Sequence, residues 1–237
     1  MKYEMNAKVR YSEVDAKGQM TWLSLLSYFQ DCSVFQSEQM ELGIEYLAKH
    51  HLAWVLSSWQ VHAKKLPKLA AEITVGTWAY DFQSFYGYRN FILNDASGNR
   101  LAYANSIWVL IDTETGRPVR VPQDMGEAYG KEERIPMECT ERRIKVPEQY
   151  EAKEPIRVQK YFIDTNQHMN NEKYVMIAQE FLPEHFQIGE IRVEYKKAAR
   201  LDELLYPRVT AEAGALTVVL ASEDGKPYAV VKFLENR

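Results

Sequence analysis

The chain has 237 residues, 46% hydrophobic and 26% charged, the proportions of a globular protein with a sizeable core, which excludes disorder as its main state. No run approaches the roughly 18 apolar residues of a membrane span, and the opening Met1-Lys2-Tyr3-Glu4-Met5-Asn6-Ala7-Lys8-Val9 has no signal-peptide core, so a cytosolic protein without membrane insertion is expected. A formal net charge of −4 argues against nucleic acid as a partner. Of the two cysteines, Cys32 falls in an apolar helical pattern and Cys139 in a polar connection; they suit a reducing compartment and make no metal site.

In chain order, the alternation from Tyr3 to Val9 predicts a strand. After Thr21, Trp22, Leu25, Leu26, Phe29 and Cys32 recur at helical spacing, and Gly43 ends or bends that helix. Four β-rich runs follow, Ala53 to His62, Glu72 to Tyr80, Phe85 to Leu93 and Leu101 to Ile111, with Asp95-Ala96-Ser97-Gly98-Asn99 as a hairpin turn between the last two. From Thr113 to Pro155 the pattern fades into Gly, Pro and charge, which predicts a linker. The order then restarts: a strand from Ile156 to Ile163, a helix with Tyr174, Ile177, Ala178 and Phe181 on one face, and strands near Ile191 to Lys197, Tyr206 to Glu212, Leu216 to Ala221 and Tyr228 to Phe233. The organisation expected is residues 1–112, a linker at 113–154, and residues 155–237.

The two halves superpose as sequences. Val14-Asp15-Ala16-Lys17-Gly18-Gln19-Met20 matches Ile163-Asp164-Thr165-Asn166-Gln167-His168-Met169, each just before a helix. Gln60-Val61-His62-Ala63-Lys64-Lys65 matches Arg192-Val193-Glu194-Tyr195-Lys196-Lys197, and Gly98 matches Gly225. An internal duplication accounts for this.

The second copy carries the chemistry. In an extended segment Asp164, Asn166 and His168 point to one side, and Asn170 or Asn171 then caps a helix whose free N–H groups favour a developing oxyanion. Such residues are also common in turns and caps, where they bond the local backbone. A turn or cap, however, needs only the Asp and an N-cap residue, and both copies have those. Lys17 and Gln19 replace the Asn and His in the first copy, so one active site beside a degenerate counterpart is expected.

The pattern Asp164-x-Asn166-x-His168-x-Asn170-Asn171-x-x-Tyr174, with Trp54-Val55 opening a strand, Ser106-Ile107-Trp108-Val109-Leu110-Ile111 closing the first sheet, and Val193-Glu194-Tyr195-Lys196-Lys197, resembles the acyl-acyl carrier protein (acyl-ACP) thioesterases over nearly the whole chain. The resemblance implies an α+β tandem hot-dog, two antiparallel sheets each wrapped on a central helix. It implies hydrolysis of fatty acyl-ACP without a cofactor, with acyl carrier protein as partner. Plant members carry a plastid targeting extension, whereas this chain begins at its first strand, so a bacterial member is expected.

By position, Asp164, Asn166 and His168 are the family's Asp, Asn and His. Where plant members place a Glu and then a Cys, this chain has Ala198 and Ala199, which removes a papain-like Cys-His-Asn mechanism and a Glu base at that position. An imidazole titrates near neutrality, so His168 can take a proton from water and return it to the leaving thiol. Asp164 either orients the imidazole or activates water itself, and spacing does not decide between them. Asn166 donates to the thioester oxygen or holds the pantetheine end, with the helix start at Asn170 and Asn171 in support. Glu194 is a substitute candidate on the assumption that it shares a strand face with Ala198; the competing reading is an exposed strand carboxylate.

Leu26, Phe29, Trp54, Leu56 and Trp108 either line an acyl tunnel or are ordinary core. Lys64, Lys65 and Lys68 in one copy, and Lys196, Lys197 and Arg200 in the other, are candidate docking points for an acidic carrier protein. A monomer and a homodimer are both compatible with fused hot-dog units. The competing functions are an acyl-CoA thioesterase, since Tyr11-Ser12-Glu13-Val14-Asp15-Ala16-Lys17-Gly18 is close to that group's pattern, and a non-catalytic acyl-thioester-binding protein.

Overall fold

A computed structural model describes residues 1–138 and 140–236; Cys139 therefore lies outside the described residues. In chain order the elements are β1 (Tyr3–Lys8), α1 (Trp22–Gln39), α2 (Ile44–Lys49), β2 (Leu52–Ala63), β3 (Glu72–Gln83), β4 (Tyr86–Asp95), β5 (Arg100–Asp112), α3 (Gln123–Tyr129), β6 (Glu151–Ala152), β7 (Ile156–Arg157), α4 (Asn171–Gln179), β8 (Ile188–Tyr195), β9 (Leu204–Glu212), β10 (Ala215–Ala221) and β11 (Pro227–Glu235). Two compact units result, one of Met1–Ser57 with Val61–Cys139, the other of Ser58–Gln60 with Thr140–Arg237.

The first unit is an antiparallel sheet in the order β1-β3-β4-β5-β2, with α1 lying on β1 and β3. Thr21 caps α1, its hydroxyl accepting the Ser24 N–H at 3.1 Å. Leu25, Leu26, Phe29 and Cys32 then bury one face of the helix against the sheet, and the Phe29 and Phe91 rings sit 5.2 Å apart. The helix stops at Gln39. Gly43 instead precedes α2 as its N-cap residue, lying against the Glu38 carboxylate. That carboxylate accepts the Ile44 N–H at 2.8 Å.

Burial pushes the Cys32 thiol up to about 12. The folded state therefore favours the neutral thiol, and this contribution is full below the unfolded thiol's value and lost as pH rises through about 12. Native Cys32 is expected to resist alkylation at pH 8, where the urea-unfolded chain reacts readily; peptide mapping after iodoacetamide reads the difference. Ready labelling of Cys32 in the native protein contradicts its buried environment.

The second unit repeats the plan with β8-β11-β10-β9-β6, β7 also pairing with β9, and α4 lying on β10 and β11. Each unit is thus a sheet wrapped on one helix, and the chain is a tandem hot-dog. The run from Ile156 to Ile163 is not a single strand: β7 covers Ile156–Arg157, and Lys160–Phe162 forms a 3-10 turn. The first unit has the same turn at Tyr11–Glu13, directly ahead of its own loop.

Residues 113–154 are built onto the sheets rather than strung between them. The reason is that each sheet has an apolar outer face left bare by its helix. On the first, Ile135 packs on Trp78 and Ile92, and its N–H bonds Asn90 Oδ1 at 3.0 Å. On the helix side of the first sheet, α3 buries Met125 and Tyr129 with Leu42, Ala79 and Leu110. On the outer face of the second, Ile144 packs against Val219, Ala221 and Val230. Among the described residues no helix is long and apolar enough to cross a membrane.

Candidate active site

The segment from Asp164 to His168 is a tight loop, not an extended run. Ile163 and Met169 pair across its neck, the Asp164 N–H bonds the His168 carbonyl at 2.8 Å, and the Gln167 N–H bonds the Asp164 carbonyl at 3.1 Å. The Asp164 carboxylate fixes the interior, Oδ1 accepting the main-chain N–H groups of Asn166 at 2.8 Å and His168 at 3.3 Å. Alternation along a strand therefore does not bring the three side chains together; a turn held by Asp164 presents the other two.

The first copy builds the same loop bond for bond. Asp15 N–H meets the Gln19 carbonyl at 2.8 Å, Gly18 N–H meets the Asp15 carbonyl at 2.9 Å, and Asp15 Oδ1 accepts from Lys17 and Gln19. The hairpin at Asp95 repeats it with Ser97, Gly98 and Asn99. The fourth residue sits at positive φ in all three: Gly18 at 71°, Gly98 at 81° and Gln167 at 61°. Only Gln167 carries a side chain there, a conformation costing an L-residue roughly 1 kcal/mol.

Anchoring beyond the loop is equally duplicated. Met169 N–H bonds the Ala199 carbonyl at 2.8 Å, as Met20 N–H bonds that of Pro67 at 2.8 Å. The register read from Gln60–Lys65 against Arg192–Lys197 is thus the register of the backbone. Asn170 caps α4, its side chain accepting the Glu172 N–H at 3.1 Å, so its oxygen serves the helix. The Asn171 carbonyl accepts the Tyr195 hydroxyl at 2.9 Å.

Asn166 is exposed and His168 half-buried, and among the described residues the imidazole has no hydrogen-bond partner. Its position is fixed through its own main chain, leaving both ring nitrogens for a ligand. Behind the loop lies a pair of tyrosines that sequence reasoning gave no role. The Tyr174 hydroxyl accepts the Ala199 N–H at 2.8 Å and its ring meets Tyr195 edge-on at 5.7 Å. Burial pushes the Tyr174 phenol up to about 12, the charges of Glu203 and Asp164 adding to it, so it stays neutral and clamps the 199 segment against the loop. Its helical spacing marked Tyr174 as core, but no sequence signal reported the hydroxyl.

Glu194 is neither exposed nor on the site's side of the sheet. Tyr195 faces α4, so Glu194 points to the opposite face, and β8 ends at Tyr195 before alternation can reach Ala198. Its oxygens take Lys196 Nζ at 2.7 Å and the Ile144 N–H at 3.0 Å. Glu194 holds the cover of the outer face.

Leu26, Phe29 and Leu56 are buried, whereas Trp54 and Trp108 are partly buried. Trp108 Nε1 donates to Ser106 Oγ at 2.8 Å, and Trp54 Nε1 is buried with no partner among the described residues. All six candidate docking cations are exposed, but they differ in pairing. Lys196 meets Glu194 at 2.7 Å, Lys197 meets Glu203 at 3.8 Å and the Arg200 N–H bonds Glu203 at 2.8 Å. Lys64, Lys65 and Lys68 have no carboxylate partner among the described residues.

Two wrapped-helix units, one loop geometry used twice and an imidazole in only one copy define a tandem hot-dog protein with a single differentiated site. Residues 1–129 match the acyl-ACP thioesterase N-terminal domain and residues 145–229 the acyl-ACP thioesterase C-terminal domain. The chain belongs to the acyl-ACP thioesterase family. It is 25% identical over 182 residues to the chloroplastic oleoyl-acyl carrier protein thioesterase 2 of Arabidopsis thaliana, covering 70% of this chain and 49% of that protein. The chain spans about half the length of several such plant relatives. Its fold matches the crystal structure of an acyl-ACP thioesterase from Bacteroides thetaiotaomicron VPI-5482 with a TM-score of 0.91 at 21% identity, over 99% of this chain and 98% of that one. It matches the 12:0-ACP thioesterase from Umbellularia californica with a TM-score of 0.86 at 19% identity, over 99% and 97%.

Proposed function

We propose that this protein hydrolyses the thioester of fatty acyl-ACP, releasing free fatty acid and so ending chain growth in the bacterial cytoplasm. The observation that carries this reading is the duplicated loop, whose second copy alone presents an imidazole and an amide at the start of a helix. Family membership supports the thioester as substrate.

His168 takes a proton from water as the oxygen attacks the thioester carbonyl carbon. The Asn166 amide donates to the oxyanion. The C–S bond then breaks, and the imidazolium returns its proton to the pantetheine thiolate. Asp164 holds the loop. Cys32, buried and neutral, is no nucleophile, and Ala199 offers none at the family position. The acyl chain is assigned to the helix-facing side of the first sheet, where Leu26, Phe29, Trp54, Leu56 and Trp108 supply apolar surface.

The carrier protein is assigned to Lys64, Lys65 and Lys68, whose charges are uncompensated, in preference to Lys196, Lys197 and Arg200, whose neighbourhood contains Glu194 and Glu203. Replacing all three of the first set by Glu is expected to raise KM for acyl-ACP about tenfold or more at low salt, with a much smaller change in kcat. The Lys196→Glu, Lys197→Glu pair changes KM less. Steady-state kinetics at two ionic strengths check this, and the reverse ranking of the two sets would transfer docking to the second unit.

The reading itself is tested by offering purified protein the same acyl chain on carrier protein and on coenzyme A, with thiol release followed. Faster release from acyl-ACP supports it, faster release from acyl-CoA makes the protein an acyl-CoA thioesterase, and tight binding with no release makes it a carrier.

A further inference from the structure

A groove of about 470 Å³ opens on the surface of the first unit, within the range of about 300–1,000 Å³ usual for small-molecule sites. Phe82, near the end of β3, and Val121 and Pro122, which lead into α3, give it an apolar wall. Gly126, in the middle of α3, lies opposite Phe82 and adds no side chain. Hydrogen bonds pin these walls, so the groove is preformed. The Val121 N–H bonds the Ser84 carbonyl at 2.9 Å, the Glu132 N–H bonds the Ala79 carbonyl at 3.0 Å, and Lys131 Nζ meets Asp81 at 2.7 Å.

Charge on the lining is engaged except at one residue. Lys131 is held by Asp81, and the Glu127 carboxylate takes Gln123 Nε2 at 2.7 Å. Arg120 is exposed and has no hydrogen-bond or ion-pair partner among the described residues. A planar guanidinium offers paired N–H donors that match a carboxylate. The helix supplies an independent sign of a ligand. Glycine is a poorer residue than alanine inside a helix, yet Gly126 has no left-handed φ to require it. A Cβ there would meet Phe82 Cδ2 at 3.8 Å, an ordinary contact, so packing does not require glycine either. What a longer side chain would remove is the open space against Phe82.

We propose that this groove binds a free fatty acid, its alkyl chain along Phe82, Val121, Pro122 and Gly126 and its carboxylate on the Arg120 guanidinium. Apolar walls alone take any hydrophobe, whereas an unpaired guanidinium beside them selects an amphiphilic monoanion. None of the lining residues belongs to the Asp164–His168 loop, so this is a binding site additional to the one assigned the chemistry. Hydrolysis of a fatty acyl thioester releases a ligand of this class. The binding itself does not rest on that reaction and is measured without turnover.

The experiment photolyses the protein with decanoate carrying a diazirine on its alkyl chain and quantifies labelled peptides by mass spectrometry as the probe is titrated. In the wild type, peptides containing Phe82 or residues 121–126 are expected to be labelled, and unlabelled decanoate is expected to compete about tenfold or more better than decanol. Arg120→Ala is expected to weaken half-saturation of that labelling about tenfold or more, and Arg120→Lys less. Gly126→Leu fills the groove with a good helix former and is expected to abolish labelling there without lowering the melting temperature. Labelling confined to other peptides, decanol competing as well as decanoate, or folded Arg120→Ala saturating like the wild type overturns the inference. Failure to hydrolyse any acyl-ACP instead overturns the proposed function and leaves this binding standing.

Discussion

His168→Ala is expected to lower acyl-ACP turnover by about 10²- to 10⁴-fold, the range for losing a positioned general base, while moving stability by no more than about 0.5 kcal/mol. Activity and stability separate here because the imidazole is half-buried and has no hydrogen-bond partner among the described residues. The loop is closed by the main chain of residue 168, and alanine keeps both its N–H and its carbonyl. Thiol release from acyl-ACP beside a urea unfolding curve measures the two effects. Near-wild-type turnover in the folded variant would place the base elsewhere.

Asp164 and Asp15 form a matched pair. Each carboxylate oxygen Oδ1 accepts two main-chain N–H groups inside its loop, so Asp164→Ala and Asp15→Ala are each expected to cost about 1 kcal/mol or somewhat more. Only Asp164→Ala also loses turnover, by about 10²-fold or more, because its loop carries Asn166 and His168 and misplacement of such groups is expensive. Asp164→Asn keeps an acceptor oxygen and is expected to retain turnover within about tenfold of wild type. Denaturation curves and kinetics of the three variants check these values. Loss of activity in a stable Asp164→Asn protein would make the carboxylate charge part of the chemistry rather than of the loop.

The sequence was legible where a side-chain pattern coincides with a backbone requirement. The match of Val14–Met20 to Ile163–Met169 predicted two equivalent segments, and their hydrogen bonds are the same. The long strands of both sheets fall within a few residues of their apolar alternation, whereas the short β6 and β7 do not. The shape of the motif loop was hidden because its turn signal is a glycine in the fourth position. Asp95–Asn99 shows it with Gly98 and the first copy with Gly18, but Gln167 erases it in the copy that matters. Glycine and charge also made 113–154 read as a linker, since the apolar contacts of Met125, Tyr129, Ile135 and Ile144 are spaced too irregularly to register as an element. Glu194 misled because a charged residue in a strand reads as solvent-facing, and only the packed structure shows it covered by Ile144.

Division of labour between the copies follows from these details. Both loops are held by an aspartate, backed by a 3-10 turn and tied to the segment after the second matching strand. What differs is which side chains the loop displays: Lys17 and Gln19 in one, Asn166 and His168 in the other. Gln19 Nε2 donates to the Leu66 carbonyl at 3.3 Å, so the residue matching His168 is spent on structure in the first unit.

The most direct measurement mixes purified protein with an acyl-ACP pool and quantifies free pantetheine thiol and free fatty acid together. Release of both in equal amounts, abolished by His168→Ala, is the predicted result. Intact acyl-ACP after prolonged incubation with folded wild-type protein, or acyl groups found on a cysteine, would contradict hydrolysis by water at the Asp164–His168 loop.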